Sequence, residues 1–273
     1  MSTSRFVCGS LVCALLSLSF EASANPRPLP FTYQHEQLAE GDAELEQFVD
    51  FTPVRAVSST TGDPVWYGLT QFQTEFEVGL SPRLELGLYL TWAPASNNGF
   101  MEVPRPSAGN GLKQRLRFQP VATGQWPVDV SFYGEVSESE REVELEAKVI
   151  LQRRLGRLRV IANLTGEREM YFDGRREIVI APSAGLTFEA SAAVQPGFEW
   201  WMHGEYPEKD PPSPRPFGLG PHHYLGPALM LNFGRLWWSN GVYLRVSDFG
   251  HTLEAGRDGF GKLWVRSMIG FGL

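Results

Sequence analysis

The sequence predicts an all-β fold, an antiparallel transmembrane β-barrel of about twelve strands. Three features carry that prediction. Two-residue alternation of apolar and polar side chains recurs over segments long enough to cross a bilayer, no apolar run is long enough for a helical span, and long connections alternate with short ones. Residues 84–92, Leu-Glu-Leu-Gly-Leu-Tyr-Leu-Thr-Trp, show the alternation in its plainest form. Successive side chains of a strand point to opposite faces, so Leu84, Leu86, Leu88, Leu90 and Trp92 share one face and Glu85, Gly87, Tyr89 and Thr91 the other.

Taken in order, residues 1–24 read as a signal peptide. Arg5 supplies the positive start, residues 11–18 the apolar stretch, and Ala22-Ser23-Ala24 the small-residue cleavage site. A membrane anchor fits less well, because Ser17 and Ser19 interrupt the stretch, Glu21 follows it and it is too short. Both cysteines, Cys8 and Cys13, fall inside the leader, so a chain cleaved before Asn25 has neither a disulfide nor a thiolate site. The residues before each cysteine are not the small ones that precede a lipidated cysteine, which argues against a lipoprotein. With 24 Lys+Arg against 31 Asp+Glu and a formal net charge of −7, nucleic acid is a poor partner.

Residues 25–42 are expected to form a periplasmic segment and 43–273 the barrel. Strands are expected near 43–52, 70–80, 83–92, 111–119, 127–137, 142–153, 156–166, 177–190, 193–204, 223–233, 236–247 and 262–273. Most have the length of a tilted bilayer crossing rather than that of a soluble strand. Long loops are expected at 53–69, 93–110, 167–176, 205–222 and 248–261, and tight turns at Ser81-Pro82, Arg154-Leu155, Ser191-Ala192 and Gly234-Arg235. This is the asymmetry of outer-membrane barrels, which carry long outward loops, short periplasmic turns and an even strand count. Two joints fit less well: 120–126 is long for a periplasmic turn and 137–141 short for an external loop, as a miscounted strand would produce. A periplasmic β-sandwich that binds a partner also alternates, but with shorter strands. Aromatic residues fall toward strand ends as two girdles, Phe51, Phe72 and Trp92 on the outer rim and Phe118, Phe233 and Trp238 on the inner rim.

The last strand places Leu263, Val265, Ile269, Phe271 and Leu273 on one face. It resembles the C-terminal targeting signature of bacterial outer-membrane proteins, with Ile269, Phe271 and Leu273 as the assembly signal, and the resemblance implies insertion by the barrel assembly machinery. The opening is similar to that of an uncharacterised family of bacterial outer-membrane β-barrels. Its pattern, Tyr-x-x-Glu-x-Leu-x-x-Gly-x-x-Glu-hydrophobic-Glu-Gln, is met by Tyr33, Glu36, Leu38, Gly41, Glu44, Glu46 and Gln47, and a hairpin at 73–90 follows. The resemblance covers about the first quarter of the chain closely. It implies a fold and an outer-membrane location, and no activity.

Of the five histidines, His35, His203, His222, His223 and His251, the adjacent pair His222-His223 suits a chelate poorly and is expected in a solvated loop, so no metal site is expected. Outer-membrane lipid hydrolases place Ser, His and acid groups near the outer rim, and Ser183, His203 and Glu205 could be assembled that way. The sequence has no G-x-S-x-G and no H-E-x-x-H to support it, and no catalytic residue is assigned. The polar faces say more. Glu44, Glu46 and Asp50 on the first strand, Glu75 and Glu77 on the second, Lys113, Arg115 and Arg117 on the fourth and Glu142, Glu144, Glu146 and Lys148 on the sixth are expected in the lumen. They read either as a selectivity lining or as a charge-paired filling. The expected function is therefore a channel, a small-solute transporter or a structural barrel in outer-membrane lipid, without a cofactor.

Overall fold

The computed structural model describes residues 24–57, 64–92, 111–208, 221–247 and 261–273, without the side chains of 53–57, 64–69 and 92. Nearly all of the signal peptide with Cys8 and Cys13, the loop 93–110, most of the loops 205–222 and 248–261, and His251 lie outside the described residues.

The strands are β1 (Ala43–Val57), β2 (Pro64–Ser81), β3 (Leu84–Trp92), β4 (Gly111–Phe118), β5 (Asp129–Ser139), β6 (Glu142–Leu155), β7 (Leu158–Tyr171), β8 (Arg176–Ile180), β9 (Ser183–Phe188), β10 (Val194–Pro207), β11 (His222–Asn232), β12 (Leu236–Arg245) and β13 (Leu263–Gly272). Each crossing pairs antiparallel with the next, and β13 pairs with β1 from Glu44↔Gly272 to Phe51↔Val265, which closes the sheet. β8 and β9 are two halves of one crossing: both lie between β7 and β10. The break falls at Ala181-Pro182, where proline offers no N–H to the ladder. The backbone still reaches both neighbours there, since Ala181 N donates to Thr165 O at 3.1 Å and Met202 N to Pro182 O at 3.0 Å. The result is a closed antiparallel barrel of twelve crossings.

The register follows the alternation. Outward side chains include Leu88, Leu116, Val136, Leu164, Ile178 and Leu244, with Leu164 57% exposed, while the residues between them turn inward. A continuous exposed belt of this kind suits hydrocarbon, not water. The short turns need backbone freedom at Gly156 (φ 62°) and Gly234 (φ 86°), which a residue with a Cβ rarely adopts.

Several boundaries differ from the sequence expectation. Much of 53–69 is strand, with β1 and β2 paired as far as Val57↔Pro64 through irregularities after Val54 and Ala56. The loop expected at 167–176 shrinks to a turn after Tyr171, because Glu167, Glu169 and Tyr171 continue the inward set of β7. Arg168, facing out, pairs with Glu208 at 2.8 Å. The β6–β7 turn lies at Gly156-Arg157, since Arg154 and Leu155 still pair with Arg159 and Leu158. His222 and His223 belong to β11 and face opposite ways, His222 buried and His223 stacked on Trp200. The long joint between β4 and β5 and the short one between β5 and β6 both exist in the closed sheet, so neither signals a missing strand.

The largest departure concerns residues 25–38. Expected in the periplasm, they run instead inside the barrel: Leu29, Thr32, Gln34 and His35 are buried against the wall. An inward wall of carboxylates, amides and aromatic rings provides the partners a non-helical backbone needs away from water.

Candidate functional site: the barrel lumen

The internal segment enters and leaves at the rim that carries the short turns. Gly41 N donates to Gly79 O at 2.9 Å and Gly79 N to Asp42 O at 3.0 Å, which tether it to β2 just before β1 begins. From Asn25 it rises to a tip at Leu29–Thr32 and descends to Leu38, whose N–H donates to Glu85 at 2.8 Å. Leu29 sits in a socket made by the absence of side chains. A Cβ on Gly185 would fall 2.6 Å from one Leu29 methyl and a Cβ on Gly197 2.9 Å from the other, with Ile161 and Ala228 completing the contact. At the tip, the Phe31 ring stacks on Trp201 with centroids 4.3 Å apart, and the Arg266 guanidinium lies 3.8 Å over it. Arg266 is fixed by a bidentate pair with Asp50 at 2.6 Å, and Glu199 accepts from the N–H groups of Phe31 and Thr32. On the descending side, Asn163 exchanges two hydrogen bonds with the Tyr33 backbone, and the His35 ring contacts Ser131 at 2.6 Å.

Around this segment lies a buried ionic layer. Arg115 donates to Glu75 and Glu85, each at 2.7 Å, and to Glu77. Arg117 lies 3.2 Å from Glu85 and donates to the carbonyls of Gln34 and Glu36. Arg27, brought in by the internal segment, lies 3.0 Å from Glu46 and 3.7 Å from Glu75, with its guanidinium 3.8 Å over the Tyr33 ring. Glu44 accepts from Trp237 Nε1 and from the Asn25 N–H. All these charged side chains are almost wholly buried. Glu46, Glu75 and Glu77 stand close enough to suggest a metal site, yet each is already paired with Arg27 or Arg115.

Above the tip the lumen opens into a cleft of about 410 Å³, floored by Phe31, Tyr33, Trp201 and Trp264. Its wall is acidic. Glu135 faces Glu146 and Glu146 faces Glu167 across adjacent strands, with Glu144 on the same wall. Directly opposed like charges are unfavourable, and two lysines offset them. Lys113 lies 3.0 Å from Glu135 and 3.9 Å from Glu144, and Lys148 lies 2.7 Å from Glu146. Glu142 stands at the outer end of this wall, in register with Tyr171. Ser183, Met202 and His203 line the same cleft, with His203 Nε2 3.1 Å from Glu205; Ser183 pairs in register with Trp201.

The residues named from sequence thus separate into two zones. Glu44, Glu46, Glu75, Glu77, Arg115 and Arg117 lie in the ionic layer, while Lys113, Glu144 and Glu146 border the open cleft. Of the aromatic residues, Phe118, Phe233 and Trp238 are exposed at the rim of short turns, Phe51 and Phe72 are half-buried toward the other rim, and Trp92 pairs in register with Phe72. Ile269 and Phe271 face outward on β13, and the Leu273 N–H donates to Ala43 O at 2.9 Å beside them. Sequence reasoning missed the place of Arg27, Leu29, Phe31, Tyr33 and His35 in the lumen because their segment shows no strand periodicity. A signal was present in the inward Gly185, Gly197 and Ala228, small residues that leave room for something else.

No family model matches the sequence, and no curated protein does. Among solved structures the barrel is similar to the outer-membrane channel from Pseudomonas putida F1, with TM-score 0.54 and 9% identity over 88% of this chain and 98% of that one. It is also similar to the KdgM porin, with TM-score 0.50 and 7% identity over 84% of this chain and 99% of the porin. At such identities the likeness is one of fold, and the chain has the fold of outer-membrane β-barrels.

Proposed function

We propose that the protein is an outer-membrane channel for small solutes whose path is closed by its own residues 25–38. It would reach that membrane by export, removal of the leader near Ala24/Asn25 and insertion through the barrel assembly machinery, as the C-terminal strand and the family-like opening suggest. The observation that carries the reading is the internal segment itself. It meets the wall through side-chain amides, carboxylates and guanidiniums that water can replace, and a charged cleft lies directly above it. A scaffold filled for stability would gain more from apolar side chains than from paired charges. The names of the two similar structures, a channel and a porin, agree with this reading.

Planar bilayers provide the test. The intact barrel should conduct weakly with brief openings, and a chain with residues 27–34 replaced by a Gly-Ser linker should conduct steadily. A linker variant that folds as a protease-resistant barrel and passes no current would leave a structural barrel as the better description. A second reading, a lipid hydrolase, has one observation in its favour, the His203–Glu205 contact beside Ser183 in the cleft. Lipid turnover lost on Ser183→Ala would support it.

A further inference from the structure

We infer that the α-ammonium group of Asn25, created when the leader is removed, is a cation of the buried ionic layer and pairs with Glu44 to lock the internal segment. The inference rests on the proposed leader removal and not on conduction.

The ionic layer is short of positive charge. Among the described residues it contains the carboxylates of Glu44, Glu46, Glu75, Glu77 and Glu85 and the guanidiniums of Arg27, Arg115 and Arg117. Every guanidinium in it is committed to other carboxylates. Glu44, 0% exposed, is met by Trp237 Nε1 and, at 2.7 Å, by the Asn25 nitrogen. An ionised carboxylate buried with neutral donors alone is costly, and a cation at one of those two positions gives Glu44 a charged partner and narrows the excess of carboxylates in the layer.

The Asn25 nitrogen can become that cation without moving. Hydrolysis of the Ala24–Asn25 bond by a signal peptidase adds water across it, leaving a carboxylate on Ala24 and an amine on Asn25, which takes up a proton beside Glu44 at neutral pH. A single N–H contact at 2.7 Å then becomes a charge-assisted pair. The residue is held for this role by its own side chain, which accepts from Gln34 Nε2 at 2.8 Å and donates to Glu36 O at 3.1 Å. Ala24 packs against the cluster of Phe48, Tyr89, Trp237 and Met268, inside the wall. The bond to be cut therefore lies where the segment is seated, so leader removal and the seating of the segment are mutually consistent. The Ala22-Ser23-Ala24 sequence places the cleavage site at the same bond.

Two measurements test this on the full barrel purified from an outer-membrane fraction. Intact mass and N-terminal sequencing should show a chain that begins at Asn25; a different first residue overturns the inference together with the leader reading. Amine acylation near neutral pH, mapped by peptide mass, should then find the Asn25 amine protected in the folded wild type and reactive after unfolding. Glu44→Gln, which keeps an acceptor for Trp237, should speed acylation by about tenfold, the factor expected from losing one charge-assisted contact. A wild-type amine that reacts in the folded barrel as fast as in the unfolded chain overturns the ion pair while leaving the leader reading intact. So does a folded Glu44→Gln barrel with unchanged protection.

Discussion

Arg115→Met isolates what the buried ionic layer contributes. The Arg115 side chain is fully buried and holds Glu75 and Glu85 at 2.7 Å each, with Glu77 as a third carboxylate and Tyr89 OH at 2.8 Å. Gly87 makes the space: a Cβ there would fall 2.6 Å from both Arg115 Nε and Glu75 Oε1. Methionine approximates the volume and strands the carboxylates. Removing one partner of a buried pair costs about 3–5 kcal/mol, and because Arg117 still reaches Glu85, the middle of that range is the expected loss. Lys113→Met is the internal control. Its side chain is 25% exposed and borders the open cleft, so water can replace part of what it gives the buried Glu135, and its loss should cost less than that of Arg115. Reversible denaturant unfolding in lipid vesicles, followed by tryptophan fluorescence, gives both values on one scale. A loss at Arg115 no larger than that at Lys113 would refute the assignment of a dry, interlocked layer.

Three further outcomes follow from the same geometry. Leu88→Arg should cost about 2–4 kcal/mol because Leu88 lies in the exposed apolar belt, whereas Gln73→Arg on the cleft wall should be nearly neutral; equal costs in vesicle unfolding would mean the faces are misassigned. Burial, assisted by Arg117, holds the His35 imidazole below the ordinary histidine range against the pull of Asp129 and Glu36. The neutral ring favours the docked segment, and that advantage is lost as pH falls from about 6.5 toward the lowered value, so conductance should rise on acidification and His35→Asn should flatten the response. Lys113→Glu with Lys148→Glu removes the two lysines that offset the acidic wall and should shift reversal potentials toward cation preference once the segment is displaced; an unchanged potential would place the current elsewhere.

How far the sequence reaches is clearest where two strands meet. Alternation alone puts Glu75 and Glu77 beside Tyr89 and Gly87, and Arg115 opposite Gly87, because a hairpin register is local and each pair is a short walk along the chain. The nearness of acidic β2 to basic β4 across β3 was legible for that reason, while whether those charges line a path or pair with one another was left open. The occupancy of the lumen was not. Tyr89 reads from sequence as a residue facing a wet interior, but it is 3% exposed, bonded to Tyr33 OH at 2.8 Å and packed near Phe48. Alternation states which way a side chain points and says nothing about what fills the space it points into.

The filling is set by residues brought level around the barrel from separate crossings. Leu29 needs Ile161 on β7, Gly185 on β9, Gly197 on β10 and Ala228 on β11, and Phe31 needs Trp201 on β10 and Arg266 on β13. No window along the chain contains either set. They become visible once the register is known, as a ring of inward positions where small residues replace the bulky or charged ones that a self-filled barrel requires. Gly185 and Gly197 pair within two residues of one another across β9 and β10, since Gly197 faces Thr187 and Glu199 faces Gly185. A hole cut into two neighbouring strands at one depth, at a level where an apolar Leu29 and an aromatic Phe31 arrive from a segment with no strand of its own, is the mark of a wall shaped to receive that segment.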